Sequence, residues 1–173
     1  MKKVLVVVDM QNDFIDGSLG SPEAEKTVLE AVKLIERDWD EVCVTYDTHT
    51  ENYLHSHEGR YLPVEHCIRG TDGWKLNRKI KEALDKKECV TVFEKPTFGS
   101  EKLMAYMKEK QPDEITLCGL CTDICVISNA LLLRAALPET EISVYEPACA
   151  GVSVESHQAA ITVMKSCQIR IEE

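Results

Sequence analysis

Val4-Leu5-Val6-Val7-Val8, followed at once by Asp9, is the stretch on which the reading of this sequence turns. Five apolar residues in a row, four of them β-branched, predict a strand without in–out alternation. Such strands are covered on both faces, as in parallel α/β sheets. A carboxylate at the end of a buried strand is costly unless it has a partner or a task. The pentad therefore suggests a fold class and a first candidate residue together.

Outward from it, strand and helix alternate. Ser21-Pro22 reads as an N-cap with proline at the first helical position. Ala24, Val28, Ala31, Val32 and Ile35 recur at helical spacing, with Glu25, Glu30, Lys33 and Glu36 opposite. Val42 to Thr45 predicts a second strand. Residues 46–74 are irregular and rich in His and Gly, a composition of functional or disordered loops. Leu76 to Leu84 predicts a helix and Cys89 to Phe93 a third strand, and Ser100 caps a helix to about Lys110. Glu114 to Cys118 predicts a fourth strand, and Thr122 or Asp123 opens an apolar helix to about Ala136. Ile142 to Tyr145 is a fifth strand, Val154 to Lys165 a helix and Gln168 to Ile171 a last strand. The pattern predicts one α/β domain over residues 1–173: a six-stranded, mainly parallel sheet with helices on both faces, Rossmann-like in plan.

The composition agrees. With 44% hydrophobic and 29% charged residues, the chain is not a disordered one. Its formal net charge of −10 argues against nucleic acid or an anionic membrane as main partner. No apolar run is long enough to span a bilayer. Met1-Lys2-Lys3-Val4 carries no small-residue cleavage site, so no secretory leader and a cytoplasmic location are expected. The eight cysteines are too sparse for a disulfide scaffold, and Cys43, Cys89 and Cys118 fall in strand-like runs. Free thiols in a reducing compartment are expected, one of them a candidate nucleophile.

Right-handed crossovers place all strand C-termini on one sheet edge, where open α/β sheets bind ligands. That edge collects Asp9, then Asp47 and His49, then Lys95, then Gly119 to Cys125. Each has a bland alternative. Cys125, in the first turn of a helix, is either a thiolate nucleophile beside free N–H groups or a buried structural cysteine. Asp9 is a proton carrier or a loop brace, and Lys95 a local cation or a solvated side chain. Cys118, Cys121 and Cys125 have metal-like spacing, but a strand end and a helix start do not easily converge three thiols. Asp47 and His49 point to one side of an extended segment. His55 and His66 complete a mixed nitrogen and oxygen site for a divalent ion, or are neutral loop histidines. His57 and His157 read as surface residues.

These motifs, taken in order, resemble the isochorismatase-like cysteine hydrolases, and within them the nicotinamidases. They are Asp9-x-Gln11-x-Asp13-Phe14, Asp47-x-His49-x5-His55, His66-Cys67-x2-Gly70-Thr71-x-Gly73, Lys95 and Gly119-x2-Thr122-Asp123-x-Cys125-Val126. The resemblance implies a triad of Cys125 as nucleophile, Asp9 as proton acceptor and donor, and Lys95 as the neighbouring cation. It implies an oxyanion hole from the N–H groups of Cys121 and Cys125, with a cis peptide at Leu120–Cys121. It assigns one divalent ion (zinc, iron or manganese) to Asp47, His49 and His66 with His55 near or in the shell, and substrate contacts to Phe14, Leu120 and Ile124. The implied reaction is deamidation of nicotinamide. Another small amide, carbamoyl compound or ester is the alternative, and a non-catalytic metal- or partner-binding homologue the reading of another class. The family's tryptophan before the third metal histidine is absent from Tyr61-Leu62-Pro63-Val64-Glu65-His66, which leaves Phe14 and Tyr61 as stacking candidates. The apolar helix surface near 126–136 would also serve a homo-oligomer.

Overall fold

Strand β1 (Lys3–Val8) lies inside the sheet, and Val4 to Val8 are fully buried, as an unbroken β-branched run requires. The computed structural model describes residues 1–173. After β1 come α1 (Asn12–Ile15), α2 (Pro22–Ile35), β2 (Glu41–Asp47), α3 (His57–Tyr61), α4 (Arg78–Leu84) and β3 (Val90–Lys95). Then follow α5 (Glu101–Lys110), β4 (Glu114–Leu120), α6 (Ile127–Ala136), β5 (Glu141–Ala150), α7 (Val154–Ser166) and β6 (Arg170–Glu172). A 3-10 turn at Tyr53–His55 precedes α3, and a π-turn at Thr122–Val126 precedes α6.

The sheet order is β3-β2-β1-β4-β5-β6, and every neighbouring pair is parallel. The winding reverses between β1 and β4, where doubly wound sheets open a crevice at their strand C-termini. Register aligns the edge: Val8 pairs with Thr45 and with Gly119, and Asp47 pairs with Lys95. Gly119 has φ 122°, and a Cβ there would lie 2.0 Å from the Val8 carbonyl oxygen. Only glycine lets β4 come so close to β1 at this point.

Helix starts follow their caps. Ser21 accepts from the Ala24 N–H at 3.1 Å and Ser100 from that of Leu103 at 3.1 Å. The helix predicted from Leu76 begins instead at Arg78, because Asn77 caps it and Leu76 is drawn into a bridge with Gln11. The predicted 46–74 loop contains α3, with Ser56 as its cap, and the short α1 was not foreseen. Strand β5 runs on past Tyr145 to Ala150, through a register shift opposite Leu117 and Gly119. A cluster of 41 buried apolar residues forms one continuous core. All eight cysteines are free, and no helix is long and apolar enough to cross a membrane.

Candidate active site

Asp9 leaves β1 with φ 47°, an uncommon conformation for a residue with a side chain. Thr45 holds it there: the Thr45 hydroxyl donates to Asp9 Oδ1 at 2.6 Å and the Asp9 N–H reaches the Thr45 carbonyl at 3.2 Å. Lys95 Nζ stands 2.6 Å from Asp9 Oδ2, 3.6 Å from Cys125 Sγ and 3.8 Å from Asp47 Oδ1, and donates to the Thr97 carbonyl at 3.0 Å. All three of Asp9, Lys95 and Cys125 are buried. The contact to Asp9 Oδ2 is an ion pair without hydrogen-bond alignment.

Burial shifts the titration of all three groups. It pushes the Asp9 carboxyl up; Lys95 pulls it back only in part, and Asp47 adds to the rise. For Lys95, burial works against the charge, but Asp9, Cys125 and Asp47 outweigh it and hold the ammonium firmly. Burial likewise pushes the Cys125 thiol well above its ordinary value, with Asp9 adding to it and Lys95 opposing. Burial thus works against the thiolate that a helix terminus and Lys95 would favour. The Asp9 carboxyl is the nearby group able to take the thiol proton.

Cys125 lies in the π-turn, not in the first turn of α6. The Leu120–Cys121 peptide is cis. The Cys121 carbonyl accepts from the N–H groups of Ile124 (3.1 Å) and Val126 (3.0 Å), but not from that of Cys125 between them. The π-turn thus breaks the usual i→i−4 pairing of the Cys125 N–H beside the thiol, at a position where such turns are often functional. Asn129 ties this turn to the loop after Lys95: its amide donates to the Cys125 carbonyl at 2.8 Å and accepts from the Ser100 N–H at 2.9 Å. His157, read from sequence as a surface residue, is largely buried. Its Nδ1 meets the Thr122 hydroxyl at 2.8 Å and its Nε2 meets Glu146 Oε1 at 3.2 Å.

A second cluster lies beside the first. Asp47, His49, Glu58 and His66 bring one ligand atom each within 4.8 Å of one another. His49 Nε2 is 3.0 Å from Asp47 Oδ2 and 3.7 Å from Glu58 Oε1; His66 Nε2 is 3.4 Å and 3.5 Å from the same two atoms. Donors about 2.1 Å from a tetrahedral ion stand about 3.4 Å apart, so the set fits one divalent cation. The Val64 carbonyl, 2.8 Å from His66 Nδ1, orients that ring as a ligand histidine is usually oriented. His55 corrects the sequence reading. It is exposed and outside the cluster, because the turn at 53–55 directs it outward and α3 brings Glu58 in instead. Sequence offered only one signal for Glu58, the Ser56 cap that begins a helix two residues earlier.

The remaining motif residues support the cluster. Gln11 accepts from the Asp47 N–H at 2.8 Å and donates to the Asp47 carbonyl at 2.9 Å. Asp13 accepts from the Cys67 N–H at 2.8 Å, and a Cβ on Gly73 would lie 2.1 Å from its Oδ2. A cavity of about 880 Å³ joins the two clusters, with Cys125, Asp47, His49 and His66 among its lining residues. Phe14, Leu120 and Ile124 line it as expected, and Phe14 lies 5.5 Å from the His66 ring. Tyr61 stands at the mouth with its ring against His57.

The isochorismatase domain model matches residues 3–172. The chain belongs to the isochorismatase family. An isochorismatase family protein of Bacillus subtilis is 32% identical over 94% of this chain and 93% of its own length. Among solved structures, a nicotinamidase/pyrazinamidase of Bacillus subtilis superposes with a TM-score of 0.87, at 28% identity and full coverage of both chains. A pyrazinamidase of Pyrococcus horikoshii in complex with zinc gives 0.83 at 26% identity, over 100% of this chain and 99% of that one. Further relatives, 24–30% identical, are nicotinamidases of plants, fungi and bacteria. This isochorismatase-family chain thus shares its fold with enzymes that act on small heteroaromatic amides.

Proposed function

We propose that this chain is an amidohydrolase that converts nicotinamide to nicotinate and ammonia. The observation that carries the reading is the meeting, at one cavity, of Cys125, backed by the buried Asp9–Lys95 pair, with four donors placed to hold a metal ion. Asp47, His49, Glu58 and His66 would hold one divalent ion, zinc in the first instance. That ion would supply a Lewis acid for the ring nitrogen of a pyridine amide.

The chain's own residues account for the rest. Asp9 takes the Cys125 proton as Sγ attacks the amide carbon. Lys95 offsets the charge on both groups and keeps the pair in place. The backbone N–H groups of Cys121 and Cys125 receive the oxyanion. The C–N bond breaks as Asp9 returns the proton to the leaving ammonia. Asp9 then takes a proton from water, which attacks the thioester carbon; the C–S bond breaks, and Cys125 recovers its proton. The raised Asp9 carboxyl suits both directions of transfer.

The test is kcat/KM for nicotinamide, pyrazinamide and benzamide on protein loaded with zinc. Nicotinamide is expected to exceed benzamide, which has the same shape without the ring nitrogen. Equal rates on the two would refute a metal-read ring. Turnover of an aliphatic amide or carbamoyl compound alone would replace nicotinamide as the substrate.

A further inference from the structure

The cavity is much larger than a single-ring amide needs. At about 880 Å³ it lies near the upper end for sites that enclose drug-sized molecules. Its floor carries the thiol and the metal cluster. Its outer wall is apolar and continues onto the surface: Tyr61 is 81% exposed, Val152 67%, Phe98 43% and Leu62 36%. Large apolar side chains gathered around one mouth mark a binding surface rather than ordinary scatter. Tyr61 packs on His57 at the rim, 5.0 Å between ring centroids.

The charge of the wall limits what fills this space. Beyond Asp47 and Glu58 the cavity is lined by no Lys, Arg, Asp or Glu. A phosphate or sugar phosphate attached to the substrate would find no lysine or arginine there, only the rim imidazole of His57, which is packed against Tyr61. The extra volume therefore fits an apolar group.

The chemistry of the ring says where that group sits. This step rests on the reading of the site as a metal-assisted pyridine-carboxamide hydrolase. The ring is then held at its nitrogen and at the carboxamide on carbon 3. Carbon 2 adjoins both anchors, carbon 4 adjoins the carboxamide and carbon 6 adjoins the nitrogen. Carbon 5 alone adjoins neither. We infer that this chain hydrolyses pyridine-3-carboxamides bearing an apolar alkyl or aryl group at carbon 5, which occupies the outer wall formed by Leu62, Phe98 and Val152.

The experiment compares nicotinamide, 5-phenylnicotinamide and 6-phenylnicotinamide on the zinc-loaded enzyme, with kcat/KM as the readout. The 5-phenyl amide is expected to exceed nicotinamide by at least about fivefold, because the phenyl group leaves water for an apolar wall. The 6-phenyl isomer, of equal size, crowds the ring nitrogen and is expected at least about tenfold below the 5-phenyl amide. The double variant Leu62→Ser, Val152→Ser is expected to cut the 5-phenyl to nicotinamide ratio by about threefold or more. A 5-phenyl amide turned over more slowly than nicotinamide, equal rates on the two isomers, or a ratio indifferent to the double variant would each overturn the inference. Rejection of the 5-phenyl amide with good nicotinamide turnover would sink only this inference. Failure of every pyridine amide would sink the nicotinamidase reading beneath it.

Discussion

Two buried carboxylates stand at opposite ends of the sheet, and their surroundings differ. Glu41, at the start of β2, is 4% exposed and accepts from Tyr106 (2.5 Å) and Thr91 (2.8 Å), with Lys2 Nζ at 3.4 Å. Asp9, at the end of β1, is 0% exposed and has one hydroxyl and one ammonium. Burial raises both. At Glu41 the Tyr106 and Thr91 donors and Lys2 reverse that effect and leave the carboxyl below its ordinary range. At Asp9 burial prevails, with Asp47 assisting it. Donor supply thus decides whether a buried acid is an inert brace or a proton carrier. The poorly supplied one lies beside the thiol.

The comparison breaks most sharply at the thiol end. Cys125→Ala is expected to lower kcat by on the order of 10⁴-fold or more while leaving the fold and metal content intact. Asp9→Asn is expected to cost about 10²–10⁴-fold in kcat/KM. Near-wild-type turnover in either variant would refute the mechanism. In the parent enzyme, a protonated Asp9 cannot take the thiol proton. The acid limb of kcat/KM should therefore lie above the ordinary carboxylate value of about 3.9. A limb at or below that value would show that burial does not raise Asp9.

The next effect separates two residues of the loop between β2 and α4. Glu58→Gln is expected to weaken zinc binding by at least about tenfold, read by titration with a metal indicator. His55→Ala should leave the zinc affinity unchanged. The reverse result would restore the sequence-based ligand set.

A smaller effect is expected where α7 meets the π-turn. His157→Ala removes one hydrogen bond to Thr122, about 1 kcal/mol, and should lower kcat by about fivefold with little change in KM. His157→Asn keeps an amide in reach of Thr122 and should recover most of that loss. A loss carried by KM, or no rescue, would make His157 merely a packing residue.

The smallest effect on activity is expected at Glu41. Glu41→Gln should leave kcat/KM within about twofold but reduce stability by about 1–3 kcal/mol near neutral pH. For the parent, the folded value of Glu41 is lowered, so its contribution is present above the unfolded carboxylate range. It is lost as pH falls through the lowered folded value. Thermal melts of the variant should therefore show a shallower decline on acidification. An unchanged melting profile would remove the contrast between the two acids.

Much of this was legible in order of residues. The pentad at Val4–Val8 is buried on both faces, Ser21 and Ser100 cap the helices they predict, and Asp9, Lys95 and Cys125 meet because crossover handedness puts strand C-termini on one edge. Short-range chemistry carries those signals: β-branching, caps and the direction of parallel connections. Thr45, the Asn129–Ser100 tie and the His157–Thr122 contact were not legible, because each acts across elements far apart in sequence; Glu58, near His49 and His66 in the chain, was not legible because the fold of their shared loop decides which side chains turn inward. Residue type alone does not say that the 53–55 turn directs His55 to solvent while α3 directs Glu58 to His49 and His66. Nor does it give the direction in which the Cys125 thiol is shifted. A helix terminus and a lysine argued for a thiolate, but the tertiary structure encloses the sulfur so fully that desolvation prevails. The sequence by itself determined the strand and helix pattern and which groups reach the edge. Tertiary structure decided which oxygen joins the histidines and which acid stays short of donors, because burial and partner count belong to the packed chain.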